Sequence, residues 1–160
     1  MDNSLDREKF IFGSLFLLTN KLQVKGDQLF EEDGMTLRQW FLTVMILQFQ
    51  DGTPTLGEVS ALMGTSHQNT KQLAKKLEEK NFLRFIKDQR DGRILRLMLT
   101  EQSHQYWKLR ENEGDIFLNK LFCDLTNEEL KMMVSGITKM LGTIETWDDE
   151  KKGENEHEQN

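Results

Sequence analysis

Seven consecutive polar residues, Ser66, His67, Gln68, Asn69, Thr70, Lys71 and Gln72, open a stretch whose apolar positions, Leu73, Ala74 and Leu77, come only later. Amide, imidazole and ammonium groups hydrogen-bond to base edges and phosphates, and a recognition helix presents its N-terminal residues to the major groove. Further on, Asp88-Gln89-Arg90-Asp91-Gly92-Arg93 places two guanidinium groups at a turn, where they could enter an adjacent minor groove. Asp91 is expected to orient an arginine through a charge-assisted pair. This chemistry is recognition of a charged polymer rather than bond breaking. A solvated helix face would use the same residue types, so the elements around them must decide.

Those elements are legible. Thr55 with Glu58 forms a capping box, after which Leu56, Val59, Leu62 and Met63 share one helical face. Gly64 supplies a left-handed stop, and Thr65-Ser66 supply the next start. The second helix runs from about Ser66 to Lys80 and closes at Asn81. Phe82 to Lys87 reads as a strand. Ile94 to Leu99 returns in strict alternation, with Leu95, Leu97 and Leu99 on one face and Ile94, Arg96 and Met98 on the other. Asp91-Gly92 between them predicts a turn with positive φ. Helix, short turn, helix and basic hairpin together form a much more specific signal than any one of them.

With these residues the chain resembles the MarR (multiple antibiotic resistance regulator) family of winged-helix transcription regulators, from about Phe10 to Trp147. The most specific pieces are Leu56-Gly57-Glu58-Val59, Leu77-Glu78-Glu79-Lys80-Asn81-Phe82-Leu83, Asp88-Gln89-Arg90-Asp91-Gly92-Arg93 and Leu99-Thr100-Glu101. The resemblance implies a homodimer that binds double-stranded operator DNA, usually as a repressor and less often as an activator, tuned by small ligands or oxidation. By resemblance and by the placement above, Gln68, Asn69 and Lys71 are expected at bases or nearby backbone, with His67 and Gln72 beside them. Ser66 caps the helix and is expected near phosphate, as is Lys75. Arg93 and Arg90 are the wing arginines. The family usually has Gly where this chain has Ser103, and Ser suits the first turn of a helix at least as well. Peroxide-sensing members carry a reactive Cys near the N-terminus, where this chain has none.

Charge supports the same stretch once it is divided along the chain. Residues 1–63 carry −4, residues 64–99 carry +5 and residues 100–160 carry −7, so the basic excess is confined to the recognition helix and hairpin although the total is −6. One Pro and few β-branched runs outside the hairpin predict a mainly α protein with a small β-hairpin wing: a winged helix-turn-helix plus a helical dimerisation bundle. The single Cys123, expected to be buried and inert, excludes an intramolecular disulfide and suits a cytoplasmic location. No run approaches the length of a membrane span, and acids stand where a signal peptide has bases. There is no P-loop, GxGxxG, GxSxG or HExxH, and His67, His104 and His157 are not at metal-ligand spacing, so no cofactor, metal or enzymatic activity is expected.

Around the organising stretch, 1–147 reads as one domain with a DNA-binding lobe at 35–100 and dimerisation helices at 7–33 and 101–147. The first helix carries Ile11, Leu15, Leu18, Leu22 and Leu29 as one stripe, widened by Phe10, Phe12, Phe16 and Leu17, too much apolar surface for one small core. Thr36 with Gln39 caps a helix bearing Leu37, Trp40, Phe41, Val44, Met45 and Leu47. Thr100 is expected to cap one long helix reaching Leu121, and Thr126 with Glu129 caps another that carries Leu130 to Trp147. Residues 148–160 lack apolar side chains and read as a disordered acidic tail. Phe12, Phe16, Trp40, Phe41 and Met45 would lie where the bundle meets the lobe, the place where family members bind phenolic or other aromatic effectors. Plain core packing would use the same side chains. The alternative function is a winged-helix protein-interaction module without DNA binding, which salt dependence separates from a phosphate-neutralising regulator.

Overall fold

As far as Thr100, local stop and start signals divide the chain where the sequence places them. The computed structural model describes residues 4–50 and 52–157, with side chains through Trp147. It forms α1 (Ser4–Leu29), a 3-10 turn (Glu31–Asp33), α2 (Leu37–Leu47), α3 (Leu56–Leu62), α4 (His67–Glu79), β1 (Leu83–Lys87), β2 (Leu95–Leu99), α5 (Glu101–Leu109), α6 (Glu111–Phe122) and α7 (Asn127–His157). The fold is mainly α with one antiparallel hairpin, in the register Leu83 opposite Leu99 and Lys87 opposite Leu95. Thr36 with Gln39 and Thr55 with Glu58 complete both halves of their capping boxes. Gly34, Gly64 and Asn81 take left-handed φ values of 60°, 60° and 59°. After Gly64 and Asn81 the returning amides donate back into the helix, Thr65 N to Ser60 O at 3.1 Å and Phe82 N to Leu77 O at 2.9 Å, which satisfies carbonyls that a helix end otherwise leaves orphaned.

The chain divides into two compact units, residues 1–109 and 110–160. In the first, Leu42, Ile46, Leu56, Val59, Ala74, Leu77, Leu83 and Leu97 form the centre of a core contributed by α2, α3, α4 and the hairpin. Each large aliphatic side chain buried there stabilises the lobe by about 1.5–3 kcal/mol, enough to hold four short elements that would not persist alone. The end of α1 is clasped to the start of α2. Asp27 Oδ1 accepts the Leu37 N–H at 2.8 Å, and Gln23 Nε2 donates to the same carboxylate at 2.9 Å. A Cβ on buried Gly26 would lie 2.7 Å from the Leu37 side chain, so the close approach of the helices needs glycine there.

Thr100 caps α5 as expected, its Oγ1 accepting the Ser103 N–H at 3.2 Å. The expected long helix beyond it is two helices. Arg110 leaves helical geometry at φ −95°, ψ 2°. No apolar residue stands between Leu109 and Ile116 to hold the turn against anything, and Asn112 and Gly114 are weak helix formers. Ser103 lies in the first turn of α5, as its helix propensity allows. Its side chain is fully buried and its hydroxyl finds no partner among the described residues. Ser103→Ala is therefore expected to raise stability by about 1 kcal/mol, because a buried unpaired hydroxyl costs about that much or more. Urea denaturation checks it, and an unchanged or lower midpoint would show that the hydroxyl is satisfied.

The second unit is built differently. Thr126 and Glu129 form the expected box at the start of α7, with Thr126 N donating to Glu129 Oε2 at 2.8 Å and Glu129 N to Thr126 Oγ1 at 3.3 Å. Those bonds hold the Glu129 carboxyl below its ordinary pKa. No side chain from Arg110 to Trp147 is buried within the chain, although Ile116, Leu118, Leu121, Met133, Val134, Ile137, Met140, Leu141, Ile144 and Trp147 recur at helical spacing. Cys123, expected to be buried, is exposed at the end of α6, because the unit has no interior to receive it. The α7 backbone stays helical through His157 rather than ending at Trp147, in keeping with the helix propensity of its Glu and Lys residues. The side chains expected to form the acidic tail lie outside the described residues. No described helix is long and apolar enough to cross a membrane.

Candidate nucleic-acid interface

Helix α4 is held by one face and displays the other. Thr70, Ala74 and Leu77 are buried, which turns His67, Gln68, Asn69, Gln72 and Lys75 outward and leaves Lys71 half-buried at the margin. Ser66 caps the helix, its Oγ accepting the Asn69 N–H at 3.2 Å. The Asn69 amide nitrogen reaches Thr65 Oγ1 only at 3.4 Å, a long contact that leaves this side chain easy to redirect. No acid stands in the first turn, so the positive end of the helix dipole is unopposed there. At the other end Lys80 Nζ donates to the Asp33 carbonyl at 3.3 Å, tying α4 to the α1–α2 connection.

The wing tip is closed by carboxylates rather than by glycine. Gly92 is not among the left-handed residues, contrary to the expectation for Asp91-Gly92. Instead Asp88 Oδ1 accepts the amides of Arg90 at 2.8 Å and Asp91 at 2.9 Å, and Asp91 Oδ1 accepts the amide of Arg93 at 3.0 Å. Two such side-chain turns bend the backbone with ordinary φ values. Arg93 also grips Asp91 through Nε and NH2, both at 3.1 Å, while its side chain remains 91% exposed. Asp91 and Arg93 thus form a charge-assisted pair at the tip. The same bonds hold the Asp91 carboxyl below its ordinary pKa.

The residues that sequence reasoning passed over lie at the base of the hairpin. Arg96, read only as an outward position of an alternating strand, donates through Nε to Asp88 Oδ2 at 2.5 Å and through NH1 to the Thr53 carbonyl at 2.7 Å. The amides of Asp91 and Arg90 and the Arg96 guanidinium hold the Asp88 carboxyl down to about 2, the Asp91 amide contributing most, so it is ionised throughout the neutral range. Leu97 N donates to the Pro54 carbonyl at 2.8 Å and Thr55 bridges Arg96, so the segment leading into α3 runs along β2. An open hollow of about 450 Å³ beside this junction is lined by Thr53, Ile86, Lys87, Asp88, Gln89, Arg90 and Arg96. The sequence clue was an arginine breaking an otherwise apolar strand.

The five aromatic-pocket residues fall into two groups. Phe12 and Phe16 stack edge-on at 5.1 Å on the open face of α1, whereas Trp40 and Met45 pack partly buried against the lobe core beside exposed Phe41. The bonds joining α1 to α2 involve Gln23 and Asp27, about 10 and 16 Å further along α1 than Phe16.

A short helix, a glycine-stopped turn, a second helix with a polar outer face and a basic hairpin define a winged helix-turn-helix protein. Over residues 33–94 the chain matches the MarR family model. It is 21% identical over 155 residues to the transcriptional activatory protein BadR of Rhodopseudomonas palustris (strain ATCC BAA-98 / CGA009), covering 96% of this chain and 89% of that one. Among solved structures it is similar to a MarR protein from Peptoclostridium difficile DA00132, with a TM-score of 0.74 and 20% identity over 91% of this chain and 90% of the other. It is likewise similar to MepR of S. aureus, solved as a DNA complex, with a TM-score of 0.74 and 22% identity over 83% of this chain and 97% of that one.

Proposed function

We propose that this chain is a transcription regulator acting as a homodimer on a pseudo-palindromic double-stranded DNA operator, with α4 in the major groove and the wing in the adjacent minor groove. The observation that carries this reading is the pairing of a fully polar outer face on α4, with Gln68, Asn69, Gln72 and Lys75 outward, with a wing whose Arg93 is held by Asp91 yet 91% exposed. In this reading Gln68, Asn69 and Lys71 meet bases or nearby backbone, His67 and Gln72 flank them, Ser66 and Lys75 meet phosphate, and Arg90 and Arg93 serve the wing. The exposed stripe of α1 and the coreless pair α6 and α7 supply the dimer surface. A two-fold dimer then reads half-sites about 34–36 Å apart. Control by an aromatic effector would join the Phe12–Phe16 pair to Trp40, Phe41 and Met45 across the assembled dimer. Repression is the family's commoner outcome, although BadR is named for activation.

A salt series tests the DNA reading. Affinity for a duplex carrying the protein's own upstream region is expected to fall with a log–log slope of about −0.9 for each phosphate neutralised. Arg93→Ala is expected to weaken binding about tenfold and to make that slope shallower. A flat series for both proteins would favour a protein-docking role for the same face.

A further inference from the structure

We infer that Arg96 is a positioning residue for the wing: by bridging Asp88 and the Thr53 carbonyl it fixes where Arg93 stands relative to the recognition helix. The inference rests on the DNA-binding reading above. The bonds form a continuous chain. The Thr53 carbonyl, in the segment that leads into the α3 cap, receives Arg96 NH1 at 2.7 Å, and Arg96 Nε reaches Asp88 at 2.5 Å. Asp88 in turn holds the amides of Arg90 and Asp91 at 2.8 and 2.9 Å, and the Asp91 carboxylate grips the Arg93 guanidinium. One end of the chain is therefore the start of the helix-turn-helix and the other is an exposed arginine of the wing.

Exposure separates the roles of the two arginines. The Arg93 side chain is 91% exposed, whereas Arg96 is 29% exposed against an Asp88 that is only 11% exposed. Arg96 is thus enclosed by its partners, while Arg93 is available to a ligand. The wing tip closes on its own side-chain turns, so removing Arg96 leaves the tip formed but detaches it from the Thr53 segment. Spanning a carboxylate and a carbonyl at once uses the planar fork of guanidinium, which the single ammonium of Lys does not reproduce.

The test is a double-mutant cycle with the full chain and a duplex selected from a random pool by the wild-type protein. Arg96→Met is expected to weaken binding about tenfold in the wild-type background but less than about twofold in an Arg93→Ala background, because the position it sets then has no arginine to present. Asp88→Asn keeps an oxygen for the two amides while removing the charge on which Arg96 closes, and is expected to give the same non-additive pattern. Arg96→Lys is expected to recover only part of the loss. Circular dichroism confirms folding, and the NMR amide signals of Arg90 and Asp91, but not those of Gln68 and Asn69, are expected to shift in the unbound Asp88→Asn and Arg96→Met proteins. Losses that multiply in the double variant, with a further shallowing of the salt slope, would make Arg96 a direct phosphate contact and overturn the inference. Unchanged affinity in both Arg96→Met and Asp88→Asn would overturn it as well. If the wild-type chain selected no duplex at all, the DNA reading itself would fall, a result visible before any variant is made.

Discussion

Ile11→Glu combined with Leu15→Glu is expected to leave a folded chain that no longer self-associates. Both side chains are substantially exposed within one chain, at 49% and 40%, so the lobe core loses nothing by their replacement. In a two-fold dimer each position occurs twice, and since less than half of each side chain is left for the interface to bury, the substitutions remove about 3–5 kcal/mol of apolar burial before the cost of burying the new charges is counted. A dimer with micromolar affinity has only about 8 kcal/mol in total. Light scattering is expected to give twice 18.8 kDa for the wild type and 18.8 kDa for the variant, with unchanged helical circular dichroism. Operator affinity should fall by about 10²–10⁴, because the second lobe no longer meets its half-site at high effective concentration. A wild-type protein that scatters as 18.8 kDa at micromolar concentration would remove the dimer from the account.

The second large effect belongs to the recognition helix. Gln68→Ala and Asn69→Ala are each expected to cost about 1–3 kcal/mol of operator binding and to relax preference at one base, as the loss of a bidentate base contact does. Stability should hardly change, since the cap uses the Asn69 backbone amide and the Asn69 side chain makes only the 3.4 Å contact to Thr65. Lys75→Ala is the control, expected to weaken all duplexes alike. Binding selection over randomised half-sites reads both effects together. If affinity and base preference survived both amide substitutions, α4 would not be the helix that reads the groove.

What was legible in the sequence was local. Thr55 with Glu58, Thr36 with Gln39, Gly64 and Asn81 announced helix ends because each interaction closes within a few residues. The hairpin and its face were legible because alternation is itself a local period. What was not legible depended on partners remote in sequence. Arg96 looked like an ordinary outward residue because the Thr53 carbonyl lies forty-three positions away. Gly92 was credited with a turn that the Asp88 and Asp91 carboxylates make. The rule for choosing between those two solutions is the placement of the side chains, which the dipeptide does not encode. The burial of Ser103 was not legible for a related reason: helix propensity describes a residue's own helix, not the wall that its hydroxyl faces. Cys123 failed because burial was inferred from apolar neighbours such as Phe122, and those neighbours are themselves exposed. The candidate DNA-facing residues were easy to name by type, but which of them touch bases depends on a duplex that lies outside the chain.

The clasp between Asp27 and the start of α2 gives α1 the mechanics of a lever. With 26 residues the helix is about 39 Å long, and it is fastened to the lobe at its last turn while its exposed stripe begins far nearer the other end. A tilt of about 5° in a rod of that length displaces its far end by about 3 Å, close to the rise between successive base pairs. Because Gly26 seats directly on Leu37 and Asp27 bonds the first amide of α2, little of that displacement is absorbed as slack at the joint. In the proposed dimer, a tilt of α1 pivoting at the stripe is therefore passed on to the lobe, and with it to α4, instead of being taken up at the joint.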